Sequence, residues 1–92
     1  MSEVLNQTWR ISEDAVASAV GGETVILHLG NGNYYGLDTV GTLLWEGLKQ
    51  GKLPTEICET ILSEYEVERS VVENDLAQFL EELKANELVE TA

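Results

Sequence analysis

The sequence predicts an α+β protein with a winged helix-turn-helix-like arrangement, in which a three-stranded antiparallel sheet is followed by three helices. Three observations predict it. Apolar runs typical of short strands occupy the chain up to Leu37. Turns that contain glycine, Gly21-Gly22 and Asn31-Gly32, separate these runs. From Asp38 onward, apolar residues recur at the spacing of amphipathic helices instead.

The length of 92 residues predicts one domain over residues 1–92, with a small apolar core and little room for a separate catalytic cavity. At the start of the chain, residues 1–12 carry Trp9 and Ile11 among polar neighbours. We interpret this segment as an N-terminal arm or an edge strand that lies on the body of the domain.

The three predicted strands are Ala15–Val20, residues 24–29 and Tyr34–Leu37. Gly21-Gly22 joins the first two, because a glycine pair supplies the backbone freedom that a turn needs. Asn31-Gly32 predicts a tight hairpin turn before the third, because Asn and Gly tolerate positive φ angles. A sheet this small buries one face against helices, and its last strand is expected to be an edge.

Capping residues and apolar spacing predict the first two helices. The first runs over residues 39–50, with Asp38 as its N-cap and Gly51 as its stop. The second starts near Pro54 with Thr55 as its N-cap, and it ends before Val67. The predicted buried residues are Val40, Leu43, Leu44, Trp45 and Leu48 in the first helix and Ile57, Ile61, Leu62 and Tyr65 in the second.

The third helix has a capping-box sequence, Ser70-Val71-Val72-Glu73, in which serine and glutamate satisfy each other's free amides. Asn86 is predicted to end it in a left-handed conformation, so that Leu88 and Val89 fold back onto the body. The predicted core residues of this helix are Val72, Leu76, Phe79, Leu80 and Leu83.

The charge balance limits the partners that the chain can bind. The sequence has 17 acidic and 5 basic residues, a formal net charge of −12. Such a surface repels nucleic acid and anionic membranes alike and favours cationic or uncharged partners. The single cysteine, Cys58, cannot form an internal disulfide, and no signal-like leader or membrane-length apolar run is visible, so we expect a cytoplasmic protein.

No pattern in the sequence indicates catalysis or a cofactor. The glycines at 30, 32 and 36 do not match the dinucleotide fingerprint, because the third comes one place too late. His28 and Cys58 are the only soft ligands, too few for a metal site. We expect a half-buried His28 and a buried Cys58, whose thiol pKa the nearby Glu56 and Glu59 raise. The sequence therefore predicts a protein that is not an enzyme and carries no metal or cofactor.

Many ordinary residues, in their order and spacing, resemble those of a known family. They are Tyr35-Gly36-Leu37-Asp38, Gly41, Leu44-Trp45, Thr55-Glu56-Ile57, Tyr65-Glu66-Val67, Asp75-Leu76, Phe79-Leu80, Leu83 and Leu88-Val89. This pattern resembles the PqqD-like family, whose members are also called peptide recognition elements. The resemblance covers roughly residues 15–89.

The resemblance implies a non-catalytic chaperone for a ribosomally synthesised and post-translationally modified peptide (RiPP). Such a chaperone grips the leader segment of the precursor and presents the core segment to a modifying enzyme in trans. That enzyme is a radical enzyme in quinone-cofactor synthesis and a leader peptidase in lasso-peptide pathways, and here its chemistry is left open. In the family, the leader docks as an extra strand on the third strand, in a groove that the third helix closes.

This docking mode assigns candidate peptide-binding residues on two elements. Unpaired main-chain groups of an edge strand can pair with a peptide strand. On the third helix, a second arc lies next to the core stripe and can line the groove, unless it is an ordinary solvated face. The candidates are Asn33, Tyr34, Tyr35, Gly36 and Leu37 on the strand and Val71, Asp75, Gln78, Phe79 and Glu82 on the helix.

Side-chain chemistry suggests a role for some of these candidates. Asp75 and Glu82 would face a Lys or Arg of the leader, and Val71 with the edge of Phe79 would receive an apolar anchor. Tyr34 and Tyr35 must point to opposite sides of the sheet, and the sequence leaves open which one faces the groove. A proline at Tyr35 tests the docking edge if the amide of that residue faces outward.

Two other functions remain open at this stage. One is an acidic adaptor that binds a basic protein through charge alone. The other is a winged-helix DNA reader. It is disfavoured because acidic residues outnumber the two basic residues of the third helix, Arg69 and Lys84. The protein is expected to be a monomer or a weak homodimer, since an unpaired edge strand can pair with its own copy.

Overall fold

The computed structural model describes residues 3–21 and 23–92, in which a three-stranded antiparallel sheet precedes three α-helices. This order confirms the predicted α+β class. The strands are β1 (Trp9–Ile11), β2 (Ala15–Val20), β3 (Glu23–His28), β4 (Tyr34–Leu37) and β5 (Val89–Thr91), and the α-helices are α1 (Thr39–Lys49), α2 (Pro54–Glu64) and α3 (Arg69–Ala85), with a short 3-10 helix at Glu3–Asn6.

The main sheet has the order β2-β3-β4, so β4 is an edge strand as predicted. Gly21 has a φ of +60° at the end of β2, and Gly22 of the predicted turn lies outside the described residues. Side chains alternate across the sheet: Thr24, Ile26 and His28 of β3 are buried on the side of the helices. The core therefore lies between one face of this sheet and the three helices.

The connection between β3 and β4 differs from the predicted tight turn. The His28 N–H donates to the Asn33 carbonyl at 2.9 Å, and the Gly32 N–H donates to the His28 carbonyl at 2.7 Å. Between His28 and Tyr34, only Gly32 takes a positive φ, of 78°. The imidazole of His28, which is buried rather than half-buried, explains the wider loop, because its Nδ1 accepts from the N–H groups of Gly30 and Asn31.

The start of α1 follows the prediction, and α2 begins at Pro54 as expected, but the N-caps of α2 and α3 lie two residues before the predicted ones. Asp38 caps α1 through a 2.9 Å bond from the Gly41 N–H to its carboxylate. In α2 the N-cap is Leu53 instead of Thr55, because Pro54 takes the first helical position and the Glu56 carboxylate accepts the Leu53 N–H at 2.8 Å.

The predicted capping box of α3 is also wrong. The N-cap is Glu68, and Ser70 already lies inside the helix. The Arg69 guanidinium donates to the Glu59 carboxylate at 2.7 Å, which fixes Arg69 in the first turn and ties α3 to α2. This exposed ion pair holds the pKa of Glu59 below its ordinary value, first through the hydrogen bond and then through the charge of the guanidinium.

At the end of α3 the left-handed residue is Glu87, with a φ of 60°, and not Asn86. Asn86 keeps a φ of −93° because its side-chain amide donates back to the Glu82 carbonyl at 2.8 Å. The chain then reverses, and both Leu88 and Val89 are buried, as predicted. Tyr65 is exposed although it was predicted to face inward, because its extended backbone already lies beyond the end of α2.

Strand β1 lies within the segment that was interpreted as an N-terminal arm or an edge strand, and it pairs antiparallel with β5. Arg10 and Glu90 form a 2.6 Å ion pair across the two strands. Leu5 and Trp9 are buried in the same core as the helices, and the Trp9 indole N–H donates to the Val4 carbonyl at 2.8 Å. The two ends of the described chain are thus joined by a small second sheet.

Candidate functional site

The outer edge of β4 presents unpaired main-chain groups. Hydrogen-bonded and non-hydrogen-bonded pairs alternate along an antiparallel ladder. His28 is bonded to Asn33, so the next bonded pair is Ile26 with Tyr35, and Tyr34 and Gly36 direct their N–H and C=O groups away from the sheet. The amide of Tyr35 therefore faces β3, and Gly36 is the position at which proline tests this edge.

The two tyrosines of β4 lie on opposite faces of the sheet. Tyr35 is half-buried on the helical side, where its hydroxyl donates to the Glu82 carboxylate of α3. Tyr34 is 72% exposed on the other face. Tyr35 is therefore the tyrosine on the side of the predicted groove, and its contact with Glu82 links the edge strand to α3.

A hollow of about 160 Å³ lies where the end of β4 meets α3. Four of the five helix residues named from the sequence line it together with Asp38; these four are Asp75, Gln78, Phe79 and Glu82. Val71 does not line the hollow; it lies one turn before Asp75 on α3 and is 50% exposed. Four residues of the predicted helical arc thus share one hollow with Asp38, the residue that directly follows the edge strand.

Three carboxylates give this hollow a negative lining. Asp38 accepts from the Gly41 N–H, and Glu82 accepts from Tyr35 and, at 3.3 Å, from the Gln78 side-chain amide. Asp75 is exposed to solvent. Since carboxylates attract cations, this arrangement suits a basic side chain next to an extended peptide strand.

Gly41 allows three elements to meet beside the hollow. A Cβ at this position would lie 2.9 Å from Leu37 Cδ2 of β4 and 3.2 Å from Phe79 Cε1 of α3. The side chains of Leu37 and Phe79 therefore both pack against the start of α1. Sequence reasoning treated Asp38 only as a helix cap, although its place directly after the edge strand could have indicated a lining residue.

The remaining reactive groups lie away from these residues. Cys58 is a free, buried thiol, and burial raises its pKa, with a smaller contribution from the charge of Glu73.

Within residues 3–21 and 23–92, no three His, Cys, Asp or Glu side chains are grouped so that they could hold a metal ion. None of the helices in the described part of the chain is both long and apolar enough to cross a membrane.

A larger hollow, of about 800 Å³, lies at the small β1–β5 sheet. Its lining carries both signs of charge, including Arg10, Lys84, Asp14 and Glu87, and includes His28. None of the residues predicted for the site is among those that line it. Four of the predicted helix residues line the smaller hollow beside β4 instead, so we regard that hollow as the candidate site.

Two solved structures are similar to this chain. One solved structure, "TbiB1 in Complex with the TbiA(beta) Leader Peptide", is 46% identical, with a TM-score of 0.81 over 88% of this chain and 94% of that one. Another, "Lasso peptide synthetase B1 complexed with the leader peptide", is 28% identical, with a TM-score of 0.81 over 89% of this chain and 96% of that one. Among curated proteins no match is found.

A protein-family comparison also matches most of the chain. Residues 23–89 match the family described as coenzyme PQQ synthesis protein D (PqqD). The match begins at β3 and ends at the start of β5, so it contains the edge strand and all three helices. The predicted resemblance is confirmed, and this chain belongs to the PqqD family.

Proposed function

We propose that this protein is a non-catalytic chaperone that binds the leader segment of a RiPP precursor and delivers it to a modifying enzyme or leader peptidase. The observation that carries the proposal is the free edge of β4, with Tyr34 and Gly36 directed outward beside the hollow at α3. The two similar structures support it, because both are complexes with a leader peptide. The lone buried Cys58 agrees with a cytoplasmic location.

In this proposal the leader adds a fourth strand to the main sheet. Main-chain hydrogen bonds to Tyr34 and Gly36 supply affinity that does not depend on the leader sequence. Asn33, Tyr35 and Leu37 hold β4 in register with β3, so they position the edge without bonding the peptide through their own amides. Gly36 leaves open space, since a Cβ there would meet no heavy atom within 4 Å.

The side chains of α3 supply specificity. Asp75, Gln78 and Glu82, with Asp38, would hold a Lys or Arg of the leader, while Phe79 offers an apolar wall. Val71 lies outside the hollow but on the exposed side of the same helix, where it can extend this wall toward the start of α3. The leader that fits this groove is therefore extended, partly apolar and basic at one position at least.

The proposal is tested by the binding of a fluorescently labelled leader peptide, taken from the precursor encoded nearest the gene, measured by anisotropy at low and moderate salt. We expect saturable binding at or below about 1 μM that persists at moderate salt. Binding that disappears with salt would indicate an acidic adaptor instead. Absence of binding at both salt concentrations would contradict the proposal.

Proline variants on the two edges of the sheet separate strand addition from other modes of binding. Gly36→Pro removes an outward N–H of β4, so we expect at least about a tenfold loss of affinity. Ala17→Pro removes an outward N–H from the opposite edge strand, β2, and should leave leader affinity unchanged. Circular dichroism checks that both variants fold. Equal affinity of a folded Gly36→Pro variant and the wild type would exclude docking on β4.

A further inference from the structure

The main sheet has a second free edge, formed by β2. The Leu29 N–H donates to the Asp14 carbonyl at 2.8 Å, and the same alternation bonds Val16, Ser18 and Val20 to β3. Ala17 and Ala19 therefore direct their N–H and C=O groups away from the sheet. In the described part of the chain no strand pairs with this edge.

Strand β2 lacks the features by which proteins protect sheet edges. Such edges are usually short, bulged, or interrupted by proline or charged residues. β2 is six residues long, against four in β4, and its register with β3 runs without a bulge from Ala15 to Val20. Its sequence, AVASAV, has no charged residue and no proline. Val16 and Val20, on one face of the sheet, are 44% and 60% exposed.

We propose that β2 pairs antiparallel with β2 of a second copy of this protein, about a two-fold axis at Ser18. In this register Ala17 exchanges main-chain hydrogen bonds with Ala19 of the second copy. Val16 lies opposite Val20 of the second copy on the exposed face, so two isolated apolar side chains cover each other. The result is a continuous six-stranded sheet that leaves both β4 edges free.

Other registers that use the same outward groups are less favourable. A two-fold axis at Ala17 would set Val20 opposite the charged Asp14 of the second copy. An axis at Ala19 would leave Val16 beyond the end of the second strand. Of the three axes at Ala17, Ser18 and Ala19, only the one at Ser18 sets Val16 opposite Val20 and Ala17 opposite Ala19.

The charge of the molecule favours a second copy at this edge over a charged partner. Two chains of net charge −12 repel each other, and they can approach closely only where the surface carries no charge. Residues 15–20 form such a surface, and their alanine and serine side chains offer a charged partner no counter-ion. A single six-residue strand buries less area than the roughly 800 Å² per partner of stable complexes, so the dimer is weak.

Cysteine cross-linking tests the register directly. Ser18 would face Ser18 of the second copy in a non-hydrogen-bonded pair with Cα atoms about 4.5 Å apart, within the range for a disulfide. In a Cys58→Ser background, we expect Ser18→Cys to form a covalent dimer at least about tenfold faster than Ser63→Cys, an exposed control on α2, because pairing raises the local concentration of the thiols. Equal rates for the two variants would overturn the proposal.

Sedimentation equilibrium tests the weak dimer without any cross-link. We expect the average mass of the wild type to rise above 10.1 kDa with concentration, and to rise further when salt screens the like charges. Ala17→Pro should remain monomeric. A constant mass at all concentrations would refute the dimer. A dimer that a leader peptide dissociates would place the contact on β4 and would also refute it, whatever the outcome for leader binding.

Discussion

Gly47 of α1 lies against Ile57 of α2 with no room for a side chain. A Cβ at Gly47 would lie 2.5 Å from both Cγ1 and Cδ1 of Ile57, closer than real Cβ contacts. We therefore expect Gly47→Ala to lower the free energy of unfolding by about 1–3 kcal/mol, as overpacking does. Ile57→Val removes one of the clashing atoms and should restore part of that loss in the double variant. Urea denaturation of the wild type, the two single variants and the double variant measures this double-mutant cycle. If the two single-variant losses of unfolding free energy simply add in the double variant, the contact between Gly47 and Ile57 is contradicted.

The sequence alone did not show which of the two tyrosines of β4 faces the helices. The alternation rule predicted that Tyr34 and Tyr35 point to opposite faces, but their assignment depends on the length of the loop before them. That loop is set by His28, whose imidazole accepts two backbone N–H groups across the turn. The contact is local, but a histidine that accepts these N–H groups is not among the usual sequence signals of a turn, so the sequence could not decide which tyrosine meets Glu82.

At the scale of elements, strand and helix positions were predicted within one residue at most ends, because apolar periodicity is a local signal. The errors at Thr55, Ser70 and Asn86 arise where contacts with another residue compete with the local capping preference. The pairing of β1 with β5 was not predicted, since it joins positions some eighty residues apart and neither strand has a distinctive pattern. For the candidate site, the sequence predicted the edge strand β4 and the residue arc on α3. It did not predict that Asp38 lines the hollow between them.

The joint action of β4 and α3 can be tested by reversing charge on one helix. Asp75 lines the hollow, whereas Glu81 is exposed on α3 and does not line it. We expect Asp75→Lys to weaken binding of a basic leader by about 0.2–1 kcal/mol, the range for an exposed ion pair. Glu81→Lys makes the same change of charge and should have a smaller effect. Anisotropy titrations compare the two, and equal effects would show that only the net charge matters.

At the scale of the whole molecule, the core extends beyond the segment that matches the family. Trp9 of β1 is 4% exposed and packs in the core formed by the helices, although the family match begins only at residue 23. We expect Trp9→Ala to cost about 3–5 kcal/mol of stability, as for other buried aromatic residues. Thermal unfolding followed by circular dichroism measures this, and a loss below about 1 kcal/mol would show that β1 is only loosely attached.

Charged residues are distributed unevenly between the main sheet and the rest of the molecule. Between Ala15 and Leu37, Glu23 is the only Asp, Glu, Lys or Arg, so 16 of the 17 acidic residues lie outside this segment. This arrangement opposes DNA binding by α3, because a recognition helix must neutralise phosphates. It also leaves the two edge strands, β2 and β4, without an Asp, Glu, Lys or Arg of their own.

The central claim is that a leader peptide pairs with the outward main-chain groups of β4. The most direct measurement is residue-resolved amide hydrogen exchange by NMR, with and without the leader peptide, at low protein concentration. We predict that the amides of Tyr34 and Gly36 become protected when the leader binds, while those of Ala17 and Ala19 on the opposite edge do not change. Unchanged exchange at Tyr34 and Gly36 with the leader bound, or new protection at Ala17 and Ala19, would contradict the account.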